Sequence, residues 1–515
     1  MWRDTRLSTN ILLMGPTVAD VQALDAELDT HPPRQTQWVL LDAGARQFSR
    51  QQLSNGSLTI WPGADPKALR QGLGQFHGVF FDVDLSQANA LTQDWGKALR
   101  AHVWRETWLH CPGGLGVRTQ AQWQALGWQT RDANTAVFQP PWAACESPEE
   151  AQRHITLIGA GLAGAACAYL LSQRGWQVDW LEAGPDLASG ASGLPVGMLS
   201  PHRTAQPTPM STLAELALPY TLKALQTLLP SGEGWCPTQI DNLPSEHGGP
   251  PAGRDHAWLV EPRVLVRAWW RAAMASGRVR WRSDAAVATL VRADQAWHCR
   301  DAQARTLSTA PQVLVANAFA ARALLGPALG DIRAVAGQMS WANWPTHQTP
   351  CAPHPRRSHG VLTPSFHSSR GHIWAVGSTY RRGERDTTVQ EADHDANADS
   401  LHRLCPEAVH HFQTQRERGE MHAFVGVRCA SKDRLPLIGA VPTLDATWPA
   451  RGGIAAVPRQ PGLYALTALG SRGLTLAAWA AETLVDQIEG KPLASPTTLV
   501  QACDPGRKGL LRRAE

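Results

Sequence analysis

The chain has 515 residues, nine cysteines and a formal net charge of +4 at pH 7, with a pI near 8.6. This length suits roughly two to four domains, and the scattered cysteines exclude a disulfide framework and a zinc site and indicate reduced thiols. A signal-peptide core and a membrane-spanning apolar run are both missing, so we expect a cytoplasmic protein with no membrane partner and no metal. The mild positive charge allows a polyanionic partner without requiring one.

Residues 1–138 alternate short apolar runs with helical segments. Strands are predicted at 11–14, 38–42, 58–61, 78–84 and 107–111, and helices at 17–28 and 66–72. Continuous apolar runs separated by helices favour a parallel, doubly wound sheet, so the first domain is predicted to be α/β and Rossmann-like. A Pro-rich, acidic linker is predicted to follow at 139–152.

The segment from His154 to Glu182 has the pattern of a dinucleotide site. Gly159 permits the tight turn out of a strand, Gly161 lets backbone amides approach a pyrophosphate, and Gly164 lets the following helix pack on the sheet. Glu182 lies 18 residues beyond Gly164 and can accept hydrogen bonds from a ribose. The pattern is open to NAD and to FAD, and the alternative is a glycine-rich turn without a ligand.

The rest of the chain is predicted to be one α+β unit over residues 153–515. Its cofactor domain combines 153–214, 311–330 and 426–515, and its largely antiparallel substrate domain combines 215–310 and 331–425. Within this unit we predict a buried strand at 313–317, a Pro-rich surface loop at 341–357 and a last helix at 474–489.

Several separated strings then resemble known families. GASGLPVGM (190–198) resembles a loop of the glycine oxidase/D-amino acid oxidase class of flavoproteins. A closer resemblance is to the C-terminal half of the MnmC family, bifunctional enzymes that modify the wobble uridine of tRNA. It is carried by WAVGSTYRRGERDTTVQEAD (374–393), GVRCASKDRLPLIGAVP (426–442) and GLYALTALGSRGLTLAAWAAETL (462–484). The resemblance covers about 153–510.

This resemblance implies an FAD-binding oxidoreductase fold and an FAD-dependent reaction on tRNA. The enzyme would oxidise the 5-carboxymethylaminomethyl group of wobble 2-thiouridine, leave the 5-aminomethyl nucleoside and release glyoxylate. Oxygen would reoxidise the flavin, and the anticodon arm of tRNA would be the partner. The protein supplies binding and orientation in such a reaction, so no obligatory side-chain base is expected.

The N-terminal half of that family is an S-adenosylmethionine-dependent methyltransferase, and here the first 138 residues fit this pattern only loosely. Met14 is followed by Gly15, Pro16 and Thr17, without the glycine-rich loop that lets the cofactor lie over the strand ends. The domain is also about a hundred residues short of the family's usual length. We therefore expect a shrunken, non-catalytic relative, for which S-adenosylmethionine binding is doubtful.

Two residues are candidates for contact with the substrate. The resemblance places Arg428 where oxidases of this class bind a carboxylate, and a guanidinium can hold the substrate's carboxylate with two parallel hydrogen bonds. The alternative for Arg428 is a structural salt bridge to a nearby acid. His202 could face the substrate, although a lone histidine is more often a structural residue.

Further residues are candidates for contact with the flavin. A helix beginning after Arg472 could stabilise the reduced ring at its pyrimidine edge, unless this is an ordinary turn capped by Ser471. A loop of small residues should pass near the ribityl chain or the ring, and Asn317 fits a second loop on the adenosine side. The candidates for the turn are Gly470, Ser471, Arg472 and Gly473, and those for the loop are Ala191, Ser192 and Gly193.

Two other functions stay open at this point. One is oxidation of free glycine or a D-amino acid, against which the added N-terminal domain argues. The other is a non-catalytic flavin- and RNA-binding protein, which the intact glycine pattern and Arg428 make less attractive.

Overall fold

The computed structural model describes residues 9–14, 17–27, 36–53, 56–63, 65–72, 74, 76–81, 93–112, 117–141, 153–244, 252–344, 352–444 and 453–507. The chain divides into two compact units, residues 1–152 with 485–500 and residues 153–484 with 501–515. The predictions for Gly15, for residues 82–84 of a strand and for most of the linker fall outside the described residues.

The first unit contains one mixed sheet. Its elements are β1 (Thr9–Met14), α1 (Val18–Glu27), β2 (Thr36–Asp42), β3 (Ser49–Gln52), β4 (Gly56–Pro62), α2 (Pro66–Gln71), β5 (Phe76–Phe81), α3 (Gln93–Leu99), β6 (Val103–His110), α4 (Val117–Gln124), β7 (Trp128–Thr130) and β8 (Thr135–Phe138). The strand order is β3-β4-β2-β1-β5-β6-β8-β7. The predicted strands pair in parallel from β4 to β6, in the third-second-first-fourth-fifth order of a doubly wound sheet. β3, β7 and β8, which pair in antiparallel ladders, were not predicted, because each has only three or four residues.

Residues 485–500 complete this first unit from the far end of the chain. The indole Nε1 of Trp61 on β4 donates to the carbonyl oxygen of Leu493 at 3.0 Å. Arg50 on β3 pairs with the buried carboxylate of Asp486, with 2.5 Å between Nη1 and Oδ2. Removing one partner of a buried ion pair costs about 3–5 kcal/mol, because it leaves an uncompensated buried charge. We therefore expect this pair to contribute to the stability of the first unit.

The second unit begins with the elements β9 (His154–Ile158), α5 (Leu162–Gln173), β10 (Gln177–Leu181), β11 (Gly197–Leu199), α6 (Pro209–Leu228), β12 (Trp235–Asn242), β13 (Gly253–Val260), α7 (Pro262–Ala275), β14 (Val279–Arg282), β15 (Thr289–Ala293), β16 (Ala296–Arg300), β17 (Thr306–Ala310), β18 (Gln312–Val315) and α8 (Ala321–Leu325). It continues with β19 (Ile332–Asn343), β20 (Arg356–Arg357), β21 (Val361–Ser368), β22 (Gly371–Gly377), β23 (Arg381–Arg382), α9 (Glu391–Leu404), α10 (Val409–Glu417), β24 (His422–Ser431), β25 (Leu437–Pro442), β26 (Arg459–Thr467), α11 (Gly473–Ile488) and α12 (Thr497–Cys503). Helices α11 and α12 each contain residues of both units.

One sheet of the second unit is mostly parallel and has the order β14-β10-β9-β18-β26-β25. The connections reverse direction between β9 and β18, and such a switch point leaves a crevice outside the carboxyl ends of the two strands. β14 comes from the region assigned by sequence to the substrate domain and pairs in parallel with β10. The buried strand predicted at 313–317 ends at Val315, so Asn317 lies in the loop above the crevice.

The larger sheet of this unit has the order β11-β13-β12-β20-β21-β22-β19-β23, with β24 also paired to β19. Its ladders are antiparallel apart from β12 with β20, so the predicted antiparallel substrate sheet is confirmed. β24 runs across the domain boundary predicted at 425/426, and β15, β16 and β17 form a separate small sheet.

The surface loop predicted at 341–357 is wrong at both ends. Trp341 belongs to β19 and is 9% exposed. Arg356 and Arg357 form β20, between β12 and β21. The prolines and polar residues of this stretch suggested a loop, while the pairing that orders its ends comes from strands far away in the sequence.

The cysteines within the described ranges all carry free thiols. Burial raises the pKa of Cys299 to about 12 and that of Cys503 to about 12, so these two thiols stay protonated at neutral pH. Within the same ranges no helix is both long enough and apolar enough to cross a membrane.

A buried carboxylate joins the parallel sheet to the small antiparallel sheet. Asp179 on β10 accepts hydrogen bonds from His154 Nε2 at 3.0 Å, Arg280 Nε at 2.5 Å and Ser308 Oγ at 2.8 Å. Burial alone would raise the pKa of Asp179, but these hydrogen bonds lower it further than burial raises it. A folded-state pKa below the unfolded value adds stability above the unfolded pKa, and that stability is lost as the pH falls through the folded pKa.

We expect Asp179→Asn to lower the free energy of unfolding at pH 7 by about 1–3 kcal/mol, because an amide presents one acceptor oxygen in place of two to His154, Arg280 and the buried Ser308. The wild-type protein should approach the variant's stability as the pH is lowered below about 4. Denaturant unfolding at several pH values measures both effects, with Asp284→Asn as the control at an exposed position. Equal stability of the two variants at pH 7 would contradict this account.

Candidate functional site

At the crevice between β9 and β18, glycines allow backbone segments to approach one another closely. Gly159 has φ of +105° and follows β9 directly. A Cβ at Gly159 would lie 2.8 Å from the carbonyl oxygen of Ala316 and 2.8 Å from the Cα of Asn317. A Cβ at Gly164 would overlap the carbonyl oxygen of Gly159. Both residues must therefore be glycine for α5 to begin this close to the sheet.

Glu182 holds the backbone of the glycine turn. Its Oε2 accepts from the amide of Ala160 at 2.6 Å, and its Oε1 accepts from the amide of Gly184 at 2.9 Å. Each carboxylate oxygen can accept more than one hydrogen bond, so both stay able to accept from a ligand hydroxyl. The sequence assigned Glu182 to the ligand alone, and the structure adds the bonds that hold the turn.

Glu182→Gln is expected to weaken FAD binding by about tenfold, because an amide NH₂ would replace one acceptor of these charge-assisted bonds (about 1.5–3 kcal/mol each). Fluorescence titration of the apoprotein with FAD measures the dissociation constant. The neighbouring Asp186→Asn, which removes a half-exposed charge at the surface, is the control and should bind FAD like the wild type. An unchanged constant for Glu182→Gln would remove this residue from the site.

The small-residue loop predicted at Ala191, Ser192 and Gly193 forms a short 3₁₀ turn. Ser192 Oγ accepts from the amide of Leu162 at 3.1 Å, which ties this turn to the start of α5. A Cβ at Gly426 would lie 3.1 Å from the Cα of Ala191, so the turn also packs on β24. The turn at 191–193 thus contacts both the start of α5 and β24, which are distant from each other in sequence.

A cleft with about 930 Å³ of empty volume, partly open to solvent, extends from these loops. Seven of the predicted site residues line it: Gly161, Ala191, Ser192, Arg428, Gly470, Ser471 and Gly473. Its lining does not include Gly159, Gly164, Glu182, Gly193, His202, Arg472 or Asn317. Asn317 Oδ1 is buried and has no hydrogen-bond partner among the described residues, as expected for a group that a ligand contacts.

Arg428 lies on β24 at the wall of this cleft. Its Nη1 donates to the carbonyl oxygen of Thr379 at 3.2 Å, and its Nη2 donates to Ser378 Oγ. Burial lowers the pKa of Arg428, while Tyr380, whose ring centroid lies 4.6 Å from the guanidinium carbon, partly opposes this shift. Within the described residues Arg428 forms no ion pair, so the salt bridge considered from sequence is not found there.

His202 and Arg472 contact each other across 270 residues of sequence. Arg472 Nη2 lies 2.9 Å from Nδ1 and 3.1 Å from Nε2 of His202. A guanidinium can only donate, so His202 must be neutral to accept. Burial, Arg472 and Arg357 lower the pKa of His202 to about 4, and burial and Arg357 lower the pKa of Arg472 to about 10.

Sequence reasoning missed several residues around these arginines. Ser378, Thr379 and Tyr380 lie in the GSTY string that carried the family resemblance, so their position in a quoted motif was an available signal. Arg357 gave no signal, because it stood in the stretch predicted to be a surface loop. Ser200 and Asn242, which hold Arg357 in place, were also not predicted.

The chain belongs to the DAO family of FAD-dependent oxidoreductases, whose family profile matches residues 154–239 and 247–487. It is therefore an FAD-dependent oxidoreductase, and FAD is its cofactor. The glycines at the strand ends, the unpaired Asn317 Oδ1 and the extended cleft fit a dinucleotide of this size.

Among curated proteins the chain is similar to tRNA 5-methylaminomethyl-2-thiouridine biosynthesis bifunctional proteins MnmC. It is 31% identical to the one from Polaromonas naphthalenivorans over 420 residues, which are 72% of this chain and 62% of that protein. It is 33% identical to the one from Delftia acidovorans over 441 residues, which are 73% of this chain and 65% of that protein. The chain thus spans less than two thirds of the length of these relatives.

Solved structures show likeness in fold alone. Glycine oxidase from Geobacillus kaustophilus matches 70% of this chain and 99% of its own at a TM-score of 0.54 and 18% identity. Glycine oxidase from Bacillus cereus matches 65% of this chain and 95% of its own at a TM-score of 0.51 and 18% identity.

Proposed function

We propose that the chain oxidises the 5-carboxymethylaminomethyl group of wobble 2-thiouridine in tRNA to the 5-aminomethyl group and releases glyoxylate. The observation that carries this proposal is Arg428, a half-buried cation without an ion-pair partner in the described part of the chain, at the wall of the cleft. The similarity to MnmC proteins supports the choice of substrate.

The bound FAD supplies the electron acceptor for the carbon beside the substrate nitrogen. Loss of hydride from that carbon gives an imine, and water then splits the C–N bond into the primary amine and glyoxylate. Oxygen takes the two electrons and two protons as hydrogen peroxide, which balances the reaction.

In this proposal the protein's contribution is to hold the substrate. Arg428 binds the terminal carboxylate through two of its three remaining N–H groups, a charge-assisted geometry that fixes both distance and angle. Ser378 and Thr379 fix the guanidinium from behind, and the ring of Tyr380 covers one face. The reacting carbon, one bond from that carboxylate, is positioned by the same contact.

We also propose the predicted flavin contacts. The turn at Gly470, Ser471 and Arg472 leads into α11, which begins at Gly473, and three of these four residues line the cleft. This position suits an edge of the flavin ring that becomes negative on reduction. The turn at Ala191, Ser192 and Gly193 lies by the start of α5, a position that suits the ribityl and pyrophosphate region.

For the first unit we propose a methyltransferase-like domain that has lost methyl transfer. Its parallel strands have the doubly wound order, with the antiparallel β8 inserted beside β6, and this arrangement supports the resemblance to Rossmann-like methyltransferases. The glycine-rich loop is absent from its sequence. Its remaining role would be to contact the anticodon arm or to shield the oxidoreductase unit.

One experiment separates this function from its alternatives. The FAD-loaded full chain is incubated with tRNA that bears 5-carboxymethylaminomethyl-2-thiouridine, with and without S-adenosylmethionine, and the nucleosides are analysed by mass spectrometry. The aminomethyl nucleoside in both samples supports the proposal, and further methylation would overturn the proposal for the first unit. Peroxide from glycine without any nucleoside change would show a free amino-acid oxidase. If neither the nucleoside product nor peroxide forms, the result would favour a non-catalytic binding protein.

A further inference from the structure

Arg357 is an arginine of the substrate sheet that the proposed reaction leaves without a role. Its Nε and Nη2 donate to Asn242 Oδ1 at 2.9 and 2.6 Å, and its Nη1 donates to Ser200 Oγ at 2.9 Å. Both acceptors are neutral. The guanidinium is therefore fixed in direction while its charge is left uncompensated by direct contact.

Asp255, an acid that acts on Arg357, already has other hydrogen-bond partners. Asp255 raises the pKa of Arg357 against the lowering caused by burial, but its Oδ1 accepts from Arg203 at 2.6 Å and its Oδ2 accepts from Asn242 at 2.9 Å. Asn242 thus stands between the carboxylate and Arg357. Within the described residues Arg357 forms no ion pair.

Arg472, which contacts His202, is in a similar situation. One N–H group of its guanidinium donates to His202, and the other four have no acceptor in the described part of the chain. None of its nitrogens is among the fully enclosed polar atoms that lack a partner, so these groups face space that solvent or a ligand reaches. Its neighbours Ser471 and Gly473 line the cleft.

The two arginines influence each other and His202. Arg357 lowers the pKa of both Arg472 and His202, and Tyr380, which packs on Arg428, acts on Arg472 in the opposite direction. The geometry agrees, since Arg357 donates to Ser200, two residues before His202, and Arg472 contacts His202 itself, so both guanidinium groups reach the same short segment after β11. Two half-buried cations that repel each other and hold free donors are a site of strong positive potential.

We propose that Arg357 and Arg472, with His202 beside them, form a second anion subsite that binds a phosphodiester group of the nucleic-acid substrate. The inference rests on the proposed function and adds to it. A free amino acid has one carboxylate, which Arg428 takes, and leaves this cluster unused. The cluster adjoins the cleft through Ser471 and Gly473, and a nucleotide bound there brings its own phosphates, whose oxygens suit a pair of guanidinium groups.

The test uses uridine 3′,5′-bisphosphate and uridine as probes of the FAD-loaded full chain, with binding measured by calorimetry. Wild-type protein should bind the bisphosphate about tenfold or more tightly than uridine, since each phosphate contact adds a charge-assisted bond. Arg357→Gln should weaken the bisphosphate by about tenfold and leave uridine unchanged. Raising the salt concentration should weaken the bisphosphate less in this variant than in the wild type.

Arg254→Gln is the matched control. Arg254 lies on β13 of the same sheet, with its side chain 53% exposed and paired to Asp241, and its loss should leave both probes unaffected. Arg357→Lys keeps the charge with fewer donors and should bind the bisphosphate with intermediate affinity. The FAD content and thermal midpoint of each variant are measured first, and Arg357→Lys alone decides the test if Arg357→Gln does not fold.

Three results would overturn the inference. Wild-type affinity of both Arg357 variants for the bisphosphate would exclude a phosphate contact. Equal weakening of uridine and bisphosphate would assign Arg357 to the base or to the fold. An altered flavin spectrum or sulfite affinity in Arg357→Lys would assign it to the cofactor.

The probes carry no carboxymethylaminomethyl group, so this test is independent of turnover. Arg357-dependent binding of the bisphosphate together with no oxidation of modified tRNA would keep the subsite and reject the reaction. Oxidation of modified tRNA together with binding of the bisphosphate that does not depend on Arg357 would keep the reaction and reject the subsite.

Discussion

Arg428→Gln is expected to lower kcat/KM for the carboxymethylaminomethyl substrate by about 10²- to 10⁴-fold, since two charge-assisted hydrogen bonds of about 1.5–3 kcal/mol each are lost. The protein should keep its FAD, because Arg428 contacts the cleft from β24 and not from the dinucleotide sheet. Stopped-flow measurement of flavin reduction under anaerobic conditions gives both the rate and the substrate affinity.

The specificity of this effect can be checked on the substrate as well as on the enzyme. A nucleoside whose amine carries a methyl group in place of the carboxymethyl group should react at the same slow rate with wild type and variant, because neither can grip it. Arg382→Gln, at an exposed position on β23, is the control and should behave like the wild type. A loss of rate that is equal for both substrates would mean that Arg428 supports the fold and not the carboxylate.

Gly164→Val is expected to yield a largely colourless protein, with FAD binding weakened by about 10²-fold or more. Any Cβ at this position overlaps the carbonyl oxygen of Gly159, so α5 has to move away from β9 and the turn that faces the cofactor has to open. Overpacking of this kind costs about 1–3 kcal/mol and occasionally more, and here the cost falls directly on the cofactor site. Absorbance of the purified protein and titration with FAD measure the loss.

Gln173→Val is the matched control for this change, since it adds the same side chain at the exposed end of the same helix. It should retain the flavin. A yellow Gly164→Val protein with wild-type FAD affinity would show that α5 can shift without cost, and would refute the role given to this glycine.

The dinucleotide crevice was predictable because its determinants are local. Gly159, Gly161 and Gly164 lie within six residues, and Glu182 ends the next strand, so the turn, the helix and the acid come from one βαβ unit. Periodicity likewise gave the parallel strands of the first unit to within four residues of their observed bounds, and it gave α11 to within one residue.

The anion cluster was not predictable, because its members come together only through sheet pairing. Arg357 reaches Ser200 across 157 residues, and Arg472 reaches His202 across 270. The sequence shows neither the insertion of β20 between β12 and β21 nor the pairing of β24 with β19. His202 was chosen from its type alone, and Arg357 was passed over because prolines around it suggested a loop.

The contribution of residues 485–500 to the first unit has a consequence for how the chain is made. A domain at the amino end of a protein usually folds while the remainder is still being synthesised. Here Trp61 and Arg50 find Leu493 and Asp486 only after almost the whole chain has left the ribosome. The first unit is therefore completed only by residues that are translated after most of the second unit, and no single cut in the gene yields both units whole.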